Sequence, residues 1–335
     1  MSNKKQLDLF DEEKRDKDIS SIDRLFRDVK RYRKCSEFKK KLEFYASFPY
    51  LGVYNAALVE QQRPGARFVL TSKKWLEKYN RKIKTNARPV IILMPFYPVE
   101  FLFDITDTKQ IDNKRKVDDN IIIEQIIHQF KASSVHDTGF YMKNLQDNLP
   151  KLGIYFNQKY IVGSEIEAEI RPDQSETLSF KIGNGHHVQH HNYFTISVDS
   201  MASEAEKLAV VFHELAHLFC QHIGCSWWEG RSYTRKTKEF EAETVSYLVC
   251  KRLGIQSHSV EYLANYLDEN EMIPPILLDF VFQAVDLIER ATTGNIEITK
   301  SLLYKKDSIF KEKVDQEREK IKEELIQAKK ERPAF

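Results

Sequence analysis

Apolar positions recur at helical spacing from Ile22 to about Tyr45 (Ile22, Leu25, Phe26, Val29, then Phe38, Leu42, Tyr45), which predicts helix there. "FPYLGVYNAALVEQQRPGARFVL" reads as a helix opened by proline and closed near "RPGA", followed by a short strand. "TSKKWLEKYN" predicts a capped helical turn, and "RPVIILMPFYP" and "VEFLFDI" predict buried strands. Residues 107–120 read as a polar connector, "IIIEQIIHQFKAS" as a helix and "YFTISV" as a strand. The strongest helical signal runs from Ser203 to Gly224, where Ser203 and Glu206 form an S-x-x-E capping box. A further helix is expected from about Lys238 to Leu253, stopped by Gly254. Residues 1–20 alternate charges with few apolar anchors and predict a mobile arm. Residues 301–335 predict a charged helix with a thin apolar stripe.

Composition narrows the class. A chain of 335 residues with 41% hydrophobic content can bury a large core and favours two domains. No apolar run approaches the roughly 20 residues that span a bilayer, and the N-terminus lacks a secretory h-region, so a cytoplasmic protein with no membrane partner is expected. Cys35, Cys220, Cys225 and Cys250 form no CxxC pair and read as reduced packing residues. The net charge of +2 conceals an asymmetry: residues 21–90 hold 18 Lys and Arg against 6 Asp and Glu. Such a basic block suits either an anionic partner or a lysine-rich solvated surface.

Candidate chemistry centres on "VFHELAHLFCQH". His213 and His217 stand four residues apart on the capped helix, so both imidazoles project from one face. That spacing suits two ligands of one Zn²⁺, with Glu214 beside them as general base. The third ligand is expected from "TKEFEAETVSYLVCKRLG". There Glu239 is the chosen ligand, and Glu243, one turn on, is a partner holding a ligand histidine in its tautomer or an alternative ligand. Glu241 points some 200° away from Glu239 at about 100° per residue, and reads as a solvated surface glutamate. A loop, "GHHVQHHNY", carries His186, His187, His190 and His191 without a carboxylate or cysteine among them. Tyr233 is the candidate oxyanion stabiliser. "YFTISV" is a candidate strand for pairing with an extended peptide substrate.

"HELAHLF" followed by "EFEAETVSYLVCKRLGI" resembles the ImmA/IrrE-like metallopeptidases, particularly the C-terminal part of ArdC-type antirestriction proteins. The resemblance implies His213 and His217 as histidine ligands, Glu214 as general base and Glu239 as third ligand. The segment from Tyr54 to "FLFDITDT" is similar to the single-stranded-DNA-binding domain of the same family, with Asn55, Gln62, Trp75, Arg81, Lys84 and Thr108 at matching places. This chain departs from the pattern at "KTNARP" and at Leu218 and Phe219. Physically, Trp75, Tyr79, Phe68 and Tyr54 interleaved with Arg67, Arg81 and Lys84 suit base stacking over a basic surface. Phe68 and Tyr54 suit core better, and Trp75 suits either.

The expected architecture is α+β: a mobile arm (1–20), a small mixed α/β single-stranded-DNA-binding domain (21–118), a zincin-like metallopeptidase domain (119–300) and a charged C-terminal helix (301–335). The expected function is a zinc metalloendopeptidase coupled to single-stranded-DNA binding, acting in antirestriction or on a regulator, with a protein or peptide substrate. The alternatives are a DNA-binding antirestriction protein whose metal site is structural, and an interaction protein recruiting a partner through its tail helix.

Overall fold

The computed structural model describes residues 34–94, 99–111, 137–160, 168–173, 192–224, 230–257 and 272–294, the backbone of 177–181 and 187–191, and a few single positions beside them. The expected arm, the tail helix, Cys225, His186 and most of the 121–133 helix lie outside the described residues. The fold is mixed α and β, with small sheets. Two units are defined by their internal packing: Met1–Val135 with Lys251–Gly254 and Ala264–Phe282, and His136–Cys250 with Ile255–Leu263 and Gln283–Phe335. Among the described residues no helix is long and apolar enough to cross a membrane.

In the first unit, α1 (Cys35–Ala46) buries Cys35, Phe38, Leu42 and Tyr45, the last three of which belong to the expected periodicity. The next helix, α2 (Val53–Gln62), begins later than the proline-opened reading placed it. The reason is Arg252, which donates to the carbonyls of Tyr45, Phe48 and Leu51 and so stabilises an irregular turn there. Arg63 and Gly65 close α2, the glycine at φ 83°, where a side chain would be strained.

Strand β1 (Val69–Leu70) leads into α3 (Ser72–Tyr79), capped by the Thr71 side chain at one end and by left-handed Asn80 at the other. Then come β2 (Arg81–Ile83), β3 (Val90–Ile92), β4 (Glu100–Asp104) and β5 (Thr108–Gln110). The order β1-β4-β3 forms one antiparallel sheet, and β2 pairs with β5. The expected connector at 107–120 therefore starts with a strand, because Lys109 and its neighbours complete the ladder of β2. Phe68, Trp75 and Ile105 form the core beneath, packed by Tyr50, Leu70, Tyr79, Ile83 and Phe103.

In the second unit, α4 (Thr138–Asn148) precedes β6 (Ile154–Lys159), β7 (Ala168–Pro172), β8 (Thr177–Lys181), β9 (His187–His191) and β10 (Phe194–Asp199). The sheet order β6-β10-β7 puts β10 in the centre, parallel to β6 and antiparallel to β7. Both edges of β10 are thus occupied, so the expected pairing of "YFTISV" with a peptide is corrected. The histidine-rich segment is also not a loop: His187, His190 and His191 lie in β9, paired with β8.

The site helix α5 (Glu204–Phe219) has the expected capping box, with Glu206 N donating to Ser203 Oγ and Ser203 N to Glu206 Oε2. It ends at Cys220, short of Gly224, because Gln221 turns left-handed at φ 60°. After it come α6 (Arg235–Leu253) and α7 (Leu278–Thr293). Among the described residues Cys35, Cys220 and Cys250 are buried and form no disulfide, in line with their reading as packing residues.

Candidate metal centre

Two helices build the cluster. One face of α5 buries Leu208, Val211, Phe212, Leu215 and Leu218, which fixes its rotation. His213 and His217 then leave the opposite side one turn apart, with side chains 17% and 14% exposed. Helix α6 brings Glu239 to them. His213 Nε2 lies 3.0 Å from His217 Nε2, and Glu239 Oε2 lies 3.4 and 3.5 Å from these two atoms. Three atoms so spaced lie on a circle of radius about 1.9 Å, the value for three corners of a tetrahedron with bonds of about 2.0–2.1 Å to a central ion. Glu239 is half-exposed, so the cluster is reached from solvent.

The electrostatics fit a cation as well. Burial disfavours charge on His213, but Glu239, Glu243 and Glu214 outweigh it and raise its pKa from the ordinary 6.5 to about 10. Hydrogen bonds from His213 and His217 hold the Glu239 carboxyl far below the usual carboxylate range. In the metal-free protein the proton on His213 thus fills the role that a divalent ion would take. Because its folded pKa is raised, the stability His213 contributes is fully present below about pH 6.5 and is lost as pH rises towards 10. Metal-free protein is therefore expected to lose thermal stability across that window, and metal uptake near pH 8 to release about one proton. Titration calorimetry in buffers of different ionisation enthalpy measures the release; none would show that His213 carries no extra proton near pH 8 before the metal arrives.

Glu214 stays outside the triangle. Its Oε2 accepts from the backbone N–H of Ile170 on β7, 2.9 Å away. Burial raises its pKa, against the lowering pull of His213, His217 and that N–H. Glu243 Oε1 lies 3.3 Å from His213 Nδ1, the position of a tautomer-fixing partner. Among the described residues no hydrogen-bond partner reaches its buried Oε2. Tyr233 is half-exposed, and the Arg231 guanidinium lies over its ring, 4.4 Å from the centroid. Among the described residues its partner is Arg231, not a member of the histidine cluster.

Glu241 needs the largest correction. It is 0% exposed, not a surface residue. Helix α6 is buried almost all round from Phe240 to Cys250, so an apolar stripe does not decide which side faces water. Thr244 Oγ1 and Ser246 Oγ are satisfied by the carbonyls of Phe240 and Ala209. Glu241 accepts both Arg231 N–H groups, at 3.0 and 3.1 Å, and lies 2.7 Å from His222 Nε2. Cys220, His222 and Glu241 also lie close enough to hold an ion. Their chemistry differs from that of the first cluster: Arg231 already neutralises the carboxylate, and burial pushes the Cys220 thiol strongly up, keeping it protonated.

No family model and no curated protein matches the chain. The crystal structure of antirestriction protein ArdC from plasmid R388, in its Mn(II)-bound form, is similar over 72% of this chain and 86% of its own. Identity is 12% and the TM-score 0.28.

The basic first unit places its candidate contacts differently from expectation. Trp75 is 0% exposed, and its Nε1–H donates to Phe103 O. Arg81 is 1% exposed and donates to Thr108 Oγ1 at 2.6 Å. Asn55 bonds both the N–H and the carbonyl of Leu93, and Gln62 does the same to Ile91. Together these two amides cover the outer edge of β3. Lys84 Nζ donates to Thr106 O, and Arg67 pairs with Glu124. Phe68 is buried and Tyr54 packs edge-on to Phe282, in keeping with the core reading preferred for both. Trp75 and Arg81 thus show no face to solvent, and the other four are engaged with the chain itself. Thr108, 0% exposed, donates to Ile105 O, and Asp104 accepts the N–H groups of Arg67, Phe68 and Thr106. The "FDITDT" element is a fold-holding turn.

Proposed function

We propose that this chain is a metal-dependent hydrolase of the peptidase type, in which His213, His217 and Glu239 hold one divalent cation, Zn²⁺ by their donor set. The observation that supports this reading is the triangle of 3.0, 3.4 and 3.5 Å, formed by two imidazoles and one carboxylate at a place open to solvent. When bound, the cation would supply Lewis acidity towards a carbonyl oxygen.

The protein's own groups do the rest. Glu214 is held by Ile170 N–H, so its carboxylate is already oriented. In the metal-free protein burial raises its pKa, the direction that makes a carboxylate a stronger general base. It takes a proton from the attacking water and delivers it to the leaving amine. The same contact fixes β7 beside the reacting centre, and β7 is hydrogen-bonded to β10 on its other side. An extended peptide laid along β7 would pass directly by Glu214.

Metal analysis tests the reading. One divalent ion per chain is expected after exposure to Zn²⁺, falling to a small residue in His213→Ala and strongly reduced in Glu239→Ala. Full metal content in both variants would remove it.

The second reading, binding of single-stranded nucleic acid by the first unit, is favoured by one observation. Lys73, Lys74, Lys78, Lys82, Lys84, Arg88 and Lys109 are all exposed on α3, β2, β5 and the turn after β2, with Glu77 the one exposed acid of those elements. Such a surface attracts phosphates whatever their base sequence.

A further inference from the structure

We infer that His222, Glu241 and Arg231 form a directed hydrogen-bond chain that fixes His217 in the tautomer required for metal ligation. The inference rests on the metal reading above and assigns these three as positioning residues.

The protons can be placed one at a time. A neutral His217 that turns its Nε2 lone pair to the cluster carries its proton on Nδ1. His217 Nδ1 lies 3.0 Å from His222 Nδ1. His217 Nδ1–H therefore donates, and His222 Nδ1 accepts. The His222 proton is then on Nε2, which donates to Glu241 Oε2 at 2.7 Å. Glu241, a carboxylate, can only accept, and it receives Nη1–H and Nη2–H of Arg231 as well. Arg231 Nη1–H also donates to Cys220 O at 2.8 Å, anchoring the guanidinium at the end of α5. Every link has one donor and one acceptor, and reversing any of them would leave two donors or two acceptors face to face.

Burial and charge give the chain its force. The His222 and Glu241 side chains are 1% and 0% exposed, so water does not compete for these bonds. The two ligand histidines are held in different ways. His213 Nδ1 faces the Glu243 carboxylate directly, at 3.3 Å. His217 faces a neutral imidazole, whose supporting carboxylate is balanced by Arg231. This arrangement orients the second ligand without adding net negative charge to a cluster that already holds Glu214, Glu239 and Glu243.

Metal titration of His222→Phe and His222→Gln, beside the unaltered protein, tests the chain with Zn²⁺ and Co²⁺ as probes. Phenylalanine keeps the ring and removes the acceptor. Its affinity for Zn²⁺ is expected to fall about 10- to 100-fold, with a changed visible spectrum of the Co²⁺ form. Glutamine offers an amide oxygen to His217 Nδ1–H and is expected to recover part of the loss. Unchanged affinity and spectrum in His222→Phe would overturn the chain while leaving the metal site intact. Absence of metal from the unaltered protein would instead overturn the metal reading, and this inference with it. Imidazole ¹⁵N spectra of the unaltered, metal-loaded protein are independent of whether the variants fold. They should show His222 protonated at Nε2 and bare at Nδ1; the opposite tautomer would sink the proposal.

Discussion

Glu214→Gln is expected to lower peptide hydrolysis by about 10²- to 10⁴-fold, the usual contribution of a positioned general base, while metal content stays at the level of the unaltered protein. The two outcomes separate because Glu214 lies outside the triangle of His213, His217 and Glu239. Glutamine has nearly the same shape and keeps an oxygen for the Ile170 N–H. What it lacks is the ability to accept a proton from water. The stability effect has a definite sign. In the metal-free protein burial raises the folded pKa of Glu214, so its ionisation opposes folding, and in that form the neutral amide should unfold at the same temperature or higher. A fluorogenic peptide library, with zinc analysis of the same preparations, reads both quantities. Retained hydrolysis at full zinc content would remove Glu214 from the reaction. Hydrolysis undetectable in the unaltered, metal-loaded protein would favour the alternative in which the site is structural.

The cluster is largely legible in the sequence because its determinants are local. The capping box and the four-residue histidine spacing act within one helix, and a helix carries such spacing into space with little freedom. Glu239 needs one step more, the orientation of a second helix. His222 is invisible for a physical reason. It follows Gln221, whose left-handed backbone turns the chain back, and no periodicity encodes which ring such a turn presents to its neighbour. Glu241 reads wrongly because α6 looks amphipathic in sequence, whereas it is buried almost all round. A signal is nevertheless present. Glu241, Val245 and Leu248 keep the i, i+4, i+7 register of a single face, and an acid within a buried apolar row requires a partner. Arg231, ten residues earlier, is that partner. In the first unit the pattern marks the matching positions but not the bonds their side chains make within the chain. Asn55, Gln62, Arg81 and Thr108 are polar residues that satisfy backbone or one another, and polar residues of this kind resemble surface contacts when only the sequence is read.

Trp75→Ala is expected to destabilise the first unit by about 3–5 kcal/mol, the cost of deleting a large buried aromatic side chain. Trp75 is fully buried, edge-on to Phe68 and tilted against Tyr79, and its Nε1–H bonds Phe103 O on β4. Removing it opens a cavity at the meeting point of α3 and β4 and leaves that carbonyl without its indole donor. A base-stacking tryptophan predicts the reverse: normal stability, with weaker binding of unpaired bases. Paired measurements separate the two. Chemical denaturation of Trp75→Ala should show the loss of stability, and any loss of oligonucleotide binding should track the unfolded fraction. Replacing Lys74 and Lys82, both exposed, by alanine should leave stability within about 0.5 kcal/mol. It should also reduce the salt slope of binding to a single-stranded oligonucleotide, by about 0.7 for each phosphate that is no longer neutralised. A stable Trp75→Ala protein with impaired binding would move the interface back to the aromatic face. An unchanged salt slope in the lysine variants would deny this basic surface its anionic partner, leaving the seven exposed cations as a solvated face of the small sheet.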